Sequence, residues 1–421
     1  MYNLISFFGM FGLMAVAWVF SKNRRNVNWR VVFWGTALQL VFAFFIFRVP
    51  AGIAVFNLVN TGVIKLFSFA KEGIYFCFGA LAIGPGETGP NGEQSLGFML
   101  AIQSLPTVIF FSAFMSLLYF IKFMPLLINI FSKIFTKLMK ISGAESLCTA
   151  SNIFVGVESA FTIRPYLEKM TKSELCTILT GGMATIASTV LGLYASFLYS
   201  IFPTIAGHLV SASILGAPAA IVMSKLLYPE DEQPETLGES IKAEYIPSEN
   251  WMDAIIKGAN EGLKLCAGII ALLIAVLGLL AIVNWGFGKA GFSLQQILGY
   301  IFRPLVFLTG VPLADVSKVA YLAGERTIVT ELVAYQHLAG YIQQGAIQVR
   351  SAVIASYILC GFAHVASMAI FVGGYAAIAP SRSGDLAKLG FRSLFAAILA
   401  CLMMGAVAGV FFTDSVVTIL K

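Results

Sequence analysis

Two carboxylates lie in stretches that are otherwise too apolar to hold ionised side chains. Glu158 lies in NIFVGVESAFTIRP, residues 152–165, and Glu331 lies in TELVAY. A carboxylate at mid-bilayer costs about 2.5–3.5 kcal/mol on insertion scales, so each position calls for a compensating use. An ionised carboxylate only accepts hydrogen bonds, which suits it to the hydroxyl and N–H groups of a polar ligand. The structural alternative is an ion pair with Arg164 or Arg326 that locks a hairpin.

A histidine and several neutral oxygens complete the candidate chemistry. His364 in CGFAHVAS lies one helical turn from Ser367, so both side chains can face one cavity. A histidine in a membrane helix is either a satisfied hydrogen-bonding group or a contact for a proton or substrate, and the residues leave both open. Asn152 and Thr185 offer neutral oxygens, which suit Na⁺ beside unwound backbone carbonyls. Four further charged residues have the spacing of pairs along a helix: Asp315, Lys318, Glu325 and Arg326.

The chain shows no motif of a soluble-type enzyme. Walker A, HExxH and GxSxG patterns are missing from the sequence. Its six cysteines are scattered through apolar segments without CxxC spacing, which favours neither a zinc site nor a disulfide framework. An intramembrane enzyme would need a nucleophile paired with a base, and no such pair stands out. We therefore expect a protein that is not an enzyme.

The composition is that of a membrane protein. Of the 421 residues, 58% are hydrophobic and 11% are charged, whereas soluble domains carry about 25% charged residues. Continuous apolar stretches, such as residues 265–283 and 394–412, approach the ~20 residues that a helix needs to cross a bilayer. Strands of a β-barrel would alternate apolar and polar residues instead. The pattern predicts an all-α polytopic membrane protein.

Basic loops predict its orientation. Positively charged loops remain in the cytoplasm, which places the loop after the first apolar segment, residues 4–20, inside and the N-terminus outside. That first segment lacks a basic leader and a cleavage site, so we expect a retained helix. Counting crossings places the C-terminus outside as well, with the last helix ending near Leu420. The basic residues of the two predicted cytoplasmic loops are Lys22, Arg24, Arg25, Arg30, Arg382, Lys388 and Arg392.

Two interrupted apolar regions, residues 123–165 and 294–337, indicate an internal repeat. Each is followed by a helix with a polar, small-residue middle, and polar backbone at membrane depth requires surrounding protein or a cavity. Corresponding interruptions in two halves predict an inverted repeat with a site between them. The predicted division is as follows: N-terminal scaffold helices at 1–122, with a broken interfacial segment at 51–70; first transport repeat at 123–228; polar cytoplasmic loop at 229–250; long scaffold helix at 251–290; second transport repeat at 291–421.

Five motifs, in order along nearly the whole chain, resemble the concentrative nucleoside transporter family. They are LPTVIFFSA, AESLCTASNIFVG, RPYLEKMTKSEL, TELVAY and CGFAHVASMAI. The resemblance implies a homotrimer in which each protomer has eight transmembrane helices, two re-entrant hairpins and helices broken at the midplane. It also implies nucleoside import driven by Na⁺ or H⁺ through an elevator-type movement, with no other cofactor and no nucleic-acid partner. The chain looks bacterial in type, so the bacterial inner membrane is the expected location.

The resemblance also assigns residues. Glu158 aligns with the glutamate of the first hairpin, but the tip is one residue shorter and Val157 replaces a Gln-Thr pair, which alters recognition of the base. Glu331 aligns with a glutamate that binds ribose hydroxyls, and His364 stands where the family usually has asparagine. The implied substrate residues are Val157, Glu158, Val190, Glu331, Phe362, His364 and Ser367. The implied Na⁺ ligands are the side chains of Asn152 and Thr185 and the carbonyls of Val155 and Ile186.

The sequence therefore predicts a secondary active symporter that imports nucleosides. One alternative is a carrier for a modified or C-linked nucleoside such as pseudouridine, motivated by the shortened tip and His364. Another is a proton-gated channel in which Glu158, His364 and Glu331 form a proton wire. The coupling ion stays open, because a carboxylate could take up a proton in place of bound Na⁺.

Overall fold

The computed structural model describes residues 1–85, 87–242, 248–289 and 291–413. Every regular element within these ranges is helical, and eight helical segments are long and apolar enough to cross a membrane. The prediction of an all-α polytopic fold is confirmed. The expected end of the last helix near Leu420 lies outside the described residues, and the helix is seen as far as Phe411.

The first four helices and the long central helix form the outer part of the protein. Asn28 accepts a hydrogen bond from the Arg30 amide and so starts the second helix, and Pro50 occupies the first turn of the third. These helices are α1 (Tyr2–Val19), α2 (Trp29–Arg48), α3 (Pro50–Phe78), α4 (Thr107–Phe120) and, later in the chain, α10 (Trp251–Gly288).

The remaining helices form two series with the same order of elements. Each series has an amphipathic helix, a hairpin, a helix broken in its middle and a long helix. The first series is α5 (Phe123–Met139), α6 (Gly143–Asn152) with a short 3-10 helix (Val157–Ile163), α7 (Lys172–Ala184), α8 (Ser188–Leu198) and α9 (Ile205–Leu227). The second is α11 (Leu294–Leu308), α12 (Leu313–Ile328), α13 (Glu331–Gln343), α14 (Val349–Leu359), α15 (Val365–Ile378) and α16 (Ser383–Phe411).

Residues 51–70, where the apolar pattern of the sequence is interrupted, do not form a separate element. That stretch belongs to α3, a continuous helix of 29 residues that is long and apolar enough to span a membrane. The helix with a polar middle that was predicted after the second interrupted region is divided into α14 and α15, as a break at the midplane requires, and neither half is long enough alone to cross a membrane. The interfacial position of residues 51–70 stays a prediction.

The loops cluster on two opposite faces. On one face, the Lys22 ammonium lies 3.0 Å from the Asp231 carboxylate, and Arg382 donates to the carbonyl of Met170 at 2.6 Å. On the other face, the Asn3 side chain donates to the carbonyl of Phe412 at 3.1 Å, which brings the two ends of the described chain together. These contacts group the loops on two faces in the way that the predicted count of crossings requires. Which of the two faces is cytoplasmic stays a prediction.

Burial separates an inner body from an outer layer. In their most apolar windows, 89% of the α9 residues and 83% of the α16 residues are buried, against 17% for α10. Helices α7, α9, α14 and α16 pack on one another, whereas α10 packs along α4. The two hairpins and both broken helices therefore belong to the inner body, with α10 and α4 beside it.

A buried lysine joins three helix ends of the inner body. The Lys225 ammonium lies 2.9 Å from the Glu145 carboxylate, 3.2 Å from the Glu230 carboxylate and 3.0 Å from the Ser173 hydroxyl. Glu145 also caps the start of α6 by accepting from the Ser142 amide. The cluster therefore fixes the base of the first hairpin against α7 and α9.

We expect Lys225→Met to lower the free energy of unfolding by about 3–5 kcal/mol, because it leaves the buried Glu145 carboxylate without its cation. Denaturant unfolding in detergent measures this change. Lys169→Met is the matched control, since Lys169 pairs with Glu235 at an exposed site and should cost less than about 1 kcal/mol. Equal effects of the two substitutions would contradict the assigned role.

Candidate functional site

Both hairpin tips and both helix breaks line one cavity in the inner body. It encloses about 760 Å³, including its open mouth, and α10 contributes apolar residues such as Leu265 and Ile269 to its wall. The structure brings all the predicted substrate residues to this cavity: Val157, Glu158, Val190, Glu331, Phe362, His364 and Ser367. Residues more than 200 positions apart in the chain thus meet at one site.

The two broken helices cross where each is unwound. A Cβ atom at Gly361 would lie 2.8 Å from the carbonyl oxygen of Ala184, so only glycine allows this approach. Helices α8 and α15 begin immediately after the breaks, and α13 begins at Glu331, all beside the cavity. Helix N-termini carry free N–H groups and a partial positive charge, which favour an acceptor or an anionic group there.

Glu331 presents a buried acceptor to the cavity. Its Oε1 accepts a hydrogen bond from the Tyr194 hydroxyl at 2.5 Å. Its Oε2 lies 3.1 Å from Nε2 of His364, without the geometry of a hydrogen bond, and has no donor among the described residues. A buried carboxylate oxygen in this state is suited to accept hydrogen bonds from the hydroxyls of a ligand.

His364 caps α15 instead of lying inside a helix, which corrects the expectation from the sequence. Its Nδ1 accepts a hydrogen bond from the Ser367 amide at 3.2 Å, and the Ser367 hydroxyl accepts from the His364 amide at 3.3 Å. Because Nδ1 is an acceptor, the proton of the neutral ring is on Nε2, which faces Glu331. The site thus combines a donor and an acceptor side by side.

The tip of the first hairpin closes onto α15. Val157 packs so tightly that a Cβ atom at Gly374 would lie 2.3 Å from its side chain. Glu158, the next residue, is exposed into the cavity. In the described part of the chain neither Glu158 nor Glu331 forms an ion pair with Arg164 or Arg326. The alternative of a hairpin-locking ion pair therefore has no support.

The charged residues of the second hairpin pair only partly as expected. Asp315 lies 3.7 Å from Lys318, which matches the predicted helical spacing. Glu325 lies 2.7 Å from Nδ1 of His337 and does not pair with Arg326, so that part of the expectation is wrong. The reason is that adjacent residues of a helix do not face each other, so the two buried side chains meet different neighbours.

Asn152 carries the strongest signal for a cation site. It is the last residue of α6 and fully buried, and its Oδ1 has no donor among the described residues. Its Nδ2 lies 3.8 Å from Sγ of Cys148, which directs Oδ1 away from that sulfur. A buried amide oxygen without a donor is costly unless a ligand or ion occupies it.

The other predicted cation ligands lie at the adjacent helix break. Thr185 and Ile186 follow the end of α7, and the Thr185 hydroxyl donates to the carbonyl of Gly181 at 2.8 Å, so its lone pairs remain available. The Ser213 hydroxyl reaches the carbonyls of Ile153 at 2.8 Å and Ile186 at 3.3 Å. Val155 follows in the same hairpin tip. Neutral hydroxyl and carbonyl oxygens at an unwound helix suit Na⁺.

Sequence reasoning missed three residues of these sites. Tyr194 lies four positions after Val190 on α8, so helical spacing could have placed both on the cavity side. Thr330 immediately precedes Glu331, lines the cavity and has a buried hydroxyl without a partner among the described residues. Ser213 gave no signal, since it is one of several serines in an apolar helix.

We expect Tyr194→Phe to raise the KM for substrate about tenfold, because it removes a charge-assisted hydrogen bond worth about 1.5–3 kcal/mol and leaves Oε1 of Glu331 unpaired. Uptake kinetics in proteoliposomes measure the change. Tyr199→Phe, at the exposed end of the same helix, is the control and should retain the original KM. An unchanged KM in Tyr194→Phe would remove that hydroxyl from the site.

Three family models match the chain in order over most of its length. The N-terminal model of the Na⁺ dependent nucleoside transporters matches residues 8–81, a nucleoside-recognition gate model matches 101–201, and the C-terminal transporter model matches 208–409. The uncharacterized transporter YutK of Bacillus subtilis is 36% identical over 412 residues, covering 96% of this chain and 98% of YutK. The chain belongs to the concentrative nucleoside transporter family.

Other relatives and solved structures agree with this membership. Solute carrier family 28 member 3 of Mus musculus is 38% identical over 430 residues; the chain spans 59% of that longer protein. CNTnw in an inward-facing, substrate-bound state superposes with a TM-score of 0.87 at 32% identity, covering 97% of this chain and 98% of CNTnw. A variant of CNTnw in an outward-facing state superposes with a TM-score of 0.86. The relatives are named as transporters, which confirms the prediction that the chain is not an enzyme.

Proposed function

We propose that this transporter is a secondary active symporter that imports nucleosides together with Na⁺. The observation that carries the proposal is the Glu331 carboxylate, which lines a cavity with apolar walls and whose buried Oε2 accepts no hydrogen bond from the described residues. Such an oxygen needs a ligand that offers hydroxyl groups, and a ribose offers two adjacent ones. The apolar remainder of the cavity suits a flat base.

The sugar end needs both a donor and an acceptor. The two hydroxyls of a ribose each donate one hydrogen bond and also accept, and Glu331 accepts while Nε2 of His364 donates. Family members that carry asparagine at this position also offer an N–H group, so histidine keeps a donor there. A deoxyribose would satisfy only part of this arrangement.

The base end offers an acceptor between apolar surfaces. Phe362 and Val190 line the cavity, and Tyr194 meets Phe362 edge to face with ring centroids 6.5 Å apart. With Val157 in place of a polar pair, Glu158 is the polar side chain of the first hairpin tip at this end. A base with N–H groups on one edge would bind best, because an ionised carboxylate accepts only.

This base end also favours the second candidate substrate, a C-linked nucleoside such as pseudouridine. The uracil ring of pseudouridine carries two N–H donors, whereas that of uridine carries one. The first hairpin tip offers only an acceptor, Glu158, beside the apolar Val157. Its affinity for a base should therefore increase when the base carries an additional N–H donor.

Na⁺ is the better supported coupling ion. The Oδ1 of Asn152 and the oxygens at the α7 break are neutral acceptors, which hold a cation without a change of protonation. A proton wire through His364 would require a second proton at Nδ1, and that proton would break the hydrogen bond that caps α15. The arrangement therefore favours a symporter over a proton-gated channel.

We further propose an elevator-type movement in a homotrimer of the bacterial inner membrane. The inner body carries both hairpins and both broken helices, so it can move as one unit along α4 and α10. Relatives with the same fold have been solved facing inward and facing outward. The N- and C-termini would then lie outside the cell.

Uptake by purified protein in proteoliposomes tests the proposal. Radiolabelled uridine, adenosine and pseudouridine are each supplied with an inward Na⁺ gradient, a pH gradient or neither. We expect accumulation above equilibrium under the Na⁺ gradient, with pseudouridine exceeding uridine if the tip acts as argued. Equilibration that needs no gradient would indicate a channel, and accumulation under the pH gradient alone would replace Na⁺ by H⁺.

A further inference from the structure

The second hairpin contains a buried cation whose hydrogen-bonding capacity is mostly unused. Arg326 lies in the last turn of α12 and is fully buried. Its Nη1 donates to the carbonyl of Ile358 at 3.0 Å, whereas Nε and Nη2 have no acceptor in the part of the chain that the structure describes. The adjacent Glu325 faces His337 instead. Because a guanidinium stays protonated in proteins, a full positive charge is buried here without a carboxylate.

Two helix C-termini provide the charge that faces this guanidinium. Ile358 is the penultimate residue of α14, and Arg326 itself lies two residues before the end of α12. The last turn of a helix has carbonyls without intrahelical donors and a partial negative charge. The nearby carbonyl of Ser356 is already satisfied by the Tyr335 hydroxyl at 2.7 Å. Arg326 therefore supplies the cation that this pair of helix ends would otherwise lack.

The first hairpin has the same junction without a protein cation. Helix α6 ends at Asn152, and a Cβ atom at Gly181, in the last turn of α7, would lie 3.6 Å from the Asn152 amide nitrogen. The sequence has no lysine or arginine at residues 141–163 or 173–224. The junction instead contains the buried Oδ1 of Asn152, an acceptor with no donor among the described residues.

The two junctions are thus complementary. One holds a positive charge with unused donors, and the other holds an unused acceptor with no positive charge. In each repeat the end of the first hairpin helix lies against the end of the first half of the broken helix, as the approach of Gly181 to Asn152 and the bond from Arg326 to Ile358 show. The need for a cation is common to both, because carbonyl ends of two helices repel each other when buried side by side.

We propose that Arg326 is a fixed internal cation that fills, in the second repeat, the role that bound Na⁺ fills in the first. The inference rests on the proposed Na⁺ site at Asn152. It implies that the transporter takes up one Na⁺ with each substrate, since the second junction is permanently occupied. It also implies that Arg326 holds the tip that carries Glu331 against the break that carries His364.

Removing the guanidinium should create a second requirement for a cation. We expect uptake by the normal protein to follow Na⁺ concentration with a Hill coefficient of about one, and uptake by Arg326→Ala with a coefficient approaching two. The half-saturating Na⁺ concentration should also rise in this variant. Added guanidinium ion should return the coefficient of Arg326→Ala towards one, because it refills the vacated place.

Two further substitutions separate charge from packing. Arg326→Lys keeps a cation and should keep a coefficient of about one, whereas Arg326→Met has a similar length without charge and should behave as Arg326→Ala. Arg164→Ala removes an exposed arginine of the first repeat and is the control for loss of positive charge in general. A purely structural role for Arg326 would change the maximal rate and leave the shape of the Na⁺ dependence unaltered.

The outcomes decide between these roles. The inference is overturned if Arg326→Ala or Arg326→Met folds, shows a Hill coefficient for Na⁺ near one and does not respond to guanidinium. If neither neutral variant assembles, Arg326→Lys decides, since loss of uptake in that folded variant also overturns it. If uptake by the normal protein does not depend on Na⁺, the proposed coupling to Na⁺ fails, and this outcome is separate from the inference about Arg326. In that case, recovery of Arg326→Ala uptake on addition of guanidinium would still support a fixed cation. No recovery would refute it.

Discussion

Glu331→Gln should lower kcat/KM for nucleoside uptake by about a hundredfold or more. The glutamine keeps one oxygen, but its amide group would present N–H donors to the ligand hydroxyls and to Nε2 of His364, which are themselves donors. Hydrogen bonds to a charged group are worth about 1.5–3 kcal/mol each, so weakening two of them costs about 3 kcal/mol or more. Initial rates of uptake over a range of substrate concentrations, in proteoliposomes with a fixed Na⁺ gradient, measure the loss.

Glu325→Gln is the matched control for this change. Both glutamates are buried in the second hairpin, but Glu325 faces His337 outside the cavity. We expect that variant to keep most of the uptake and to lose some stability through the weakened contact with His337. Size-exclusion chromatography checks that each variant is folded and assembled. Normal uptake by a folded Glu331→Gln protein would refute the role of this carboxylate in binding substrate.

Asn152→Ala should raise the half-saturating Na⁺ concentration by at least about tenfold, with a smaller change in the KM for nucleoside at saturating Na⁺. The substitution removes the buried Oδ1 that has no protein donor, and groups that shape a metal site typically contribute 10–100-fold to its affinity. Uptake measured against Na⁺ at fixed substrate, and against substrate at fixed Na⁺, separates the two constants.

Ser146→Ala is the control for the Asn152 experiment. Ser146 is a fully buried polar residue of the same helix, α6, and lies nearly two turns before Asn152. Its loss should leave the Na⁺ response unchanged. If Asn152→Ala shows the Na⁺ dependence of the normal protein, the cation site does not lie at this junction.

The two predictions test different parts of one arrangement. Glu331 opens onto the substrate cavity, whereas Asn152 lies behind the first hairpin tip, at the end of α6. Only the tip and the α7 break separate them, and both Ile186 and Ala187 belong to that break. Occupation of the cation site would therefore hold Ala187 and Val190, which line the cavity, in place. A shift in the KM for nucleoside at low Na⁺ would report this coupling.

The sequence by itself determined the class of protein and most of the candidate site. Hydropathy is a local property, so long apolar segments identified the helices without any knowledge of their packing. A charged or polar residue inside such a segment is costly enough to stand out, which is why Glu158, Glu331 and His364 were recognisable before the structure was known. The order of motifs supplied the family in the same way.

Only the tertiary structure decided how these residues are engaged. The bond from Tyr194 to Glu331 joins residues 137 positions apart, and no spacing along the chain encodes such a contact. The same holds for the Nδ1 cap that sets the proton of His364, and for the burial of Arg326 at a helix end away from its neighbour Glu325. Which side of a helix is buried, and against what, depends on packing between distant segments, so these assignments required the folded chain.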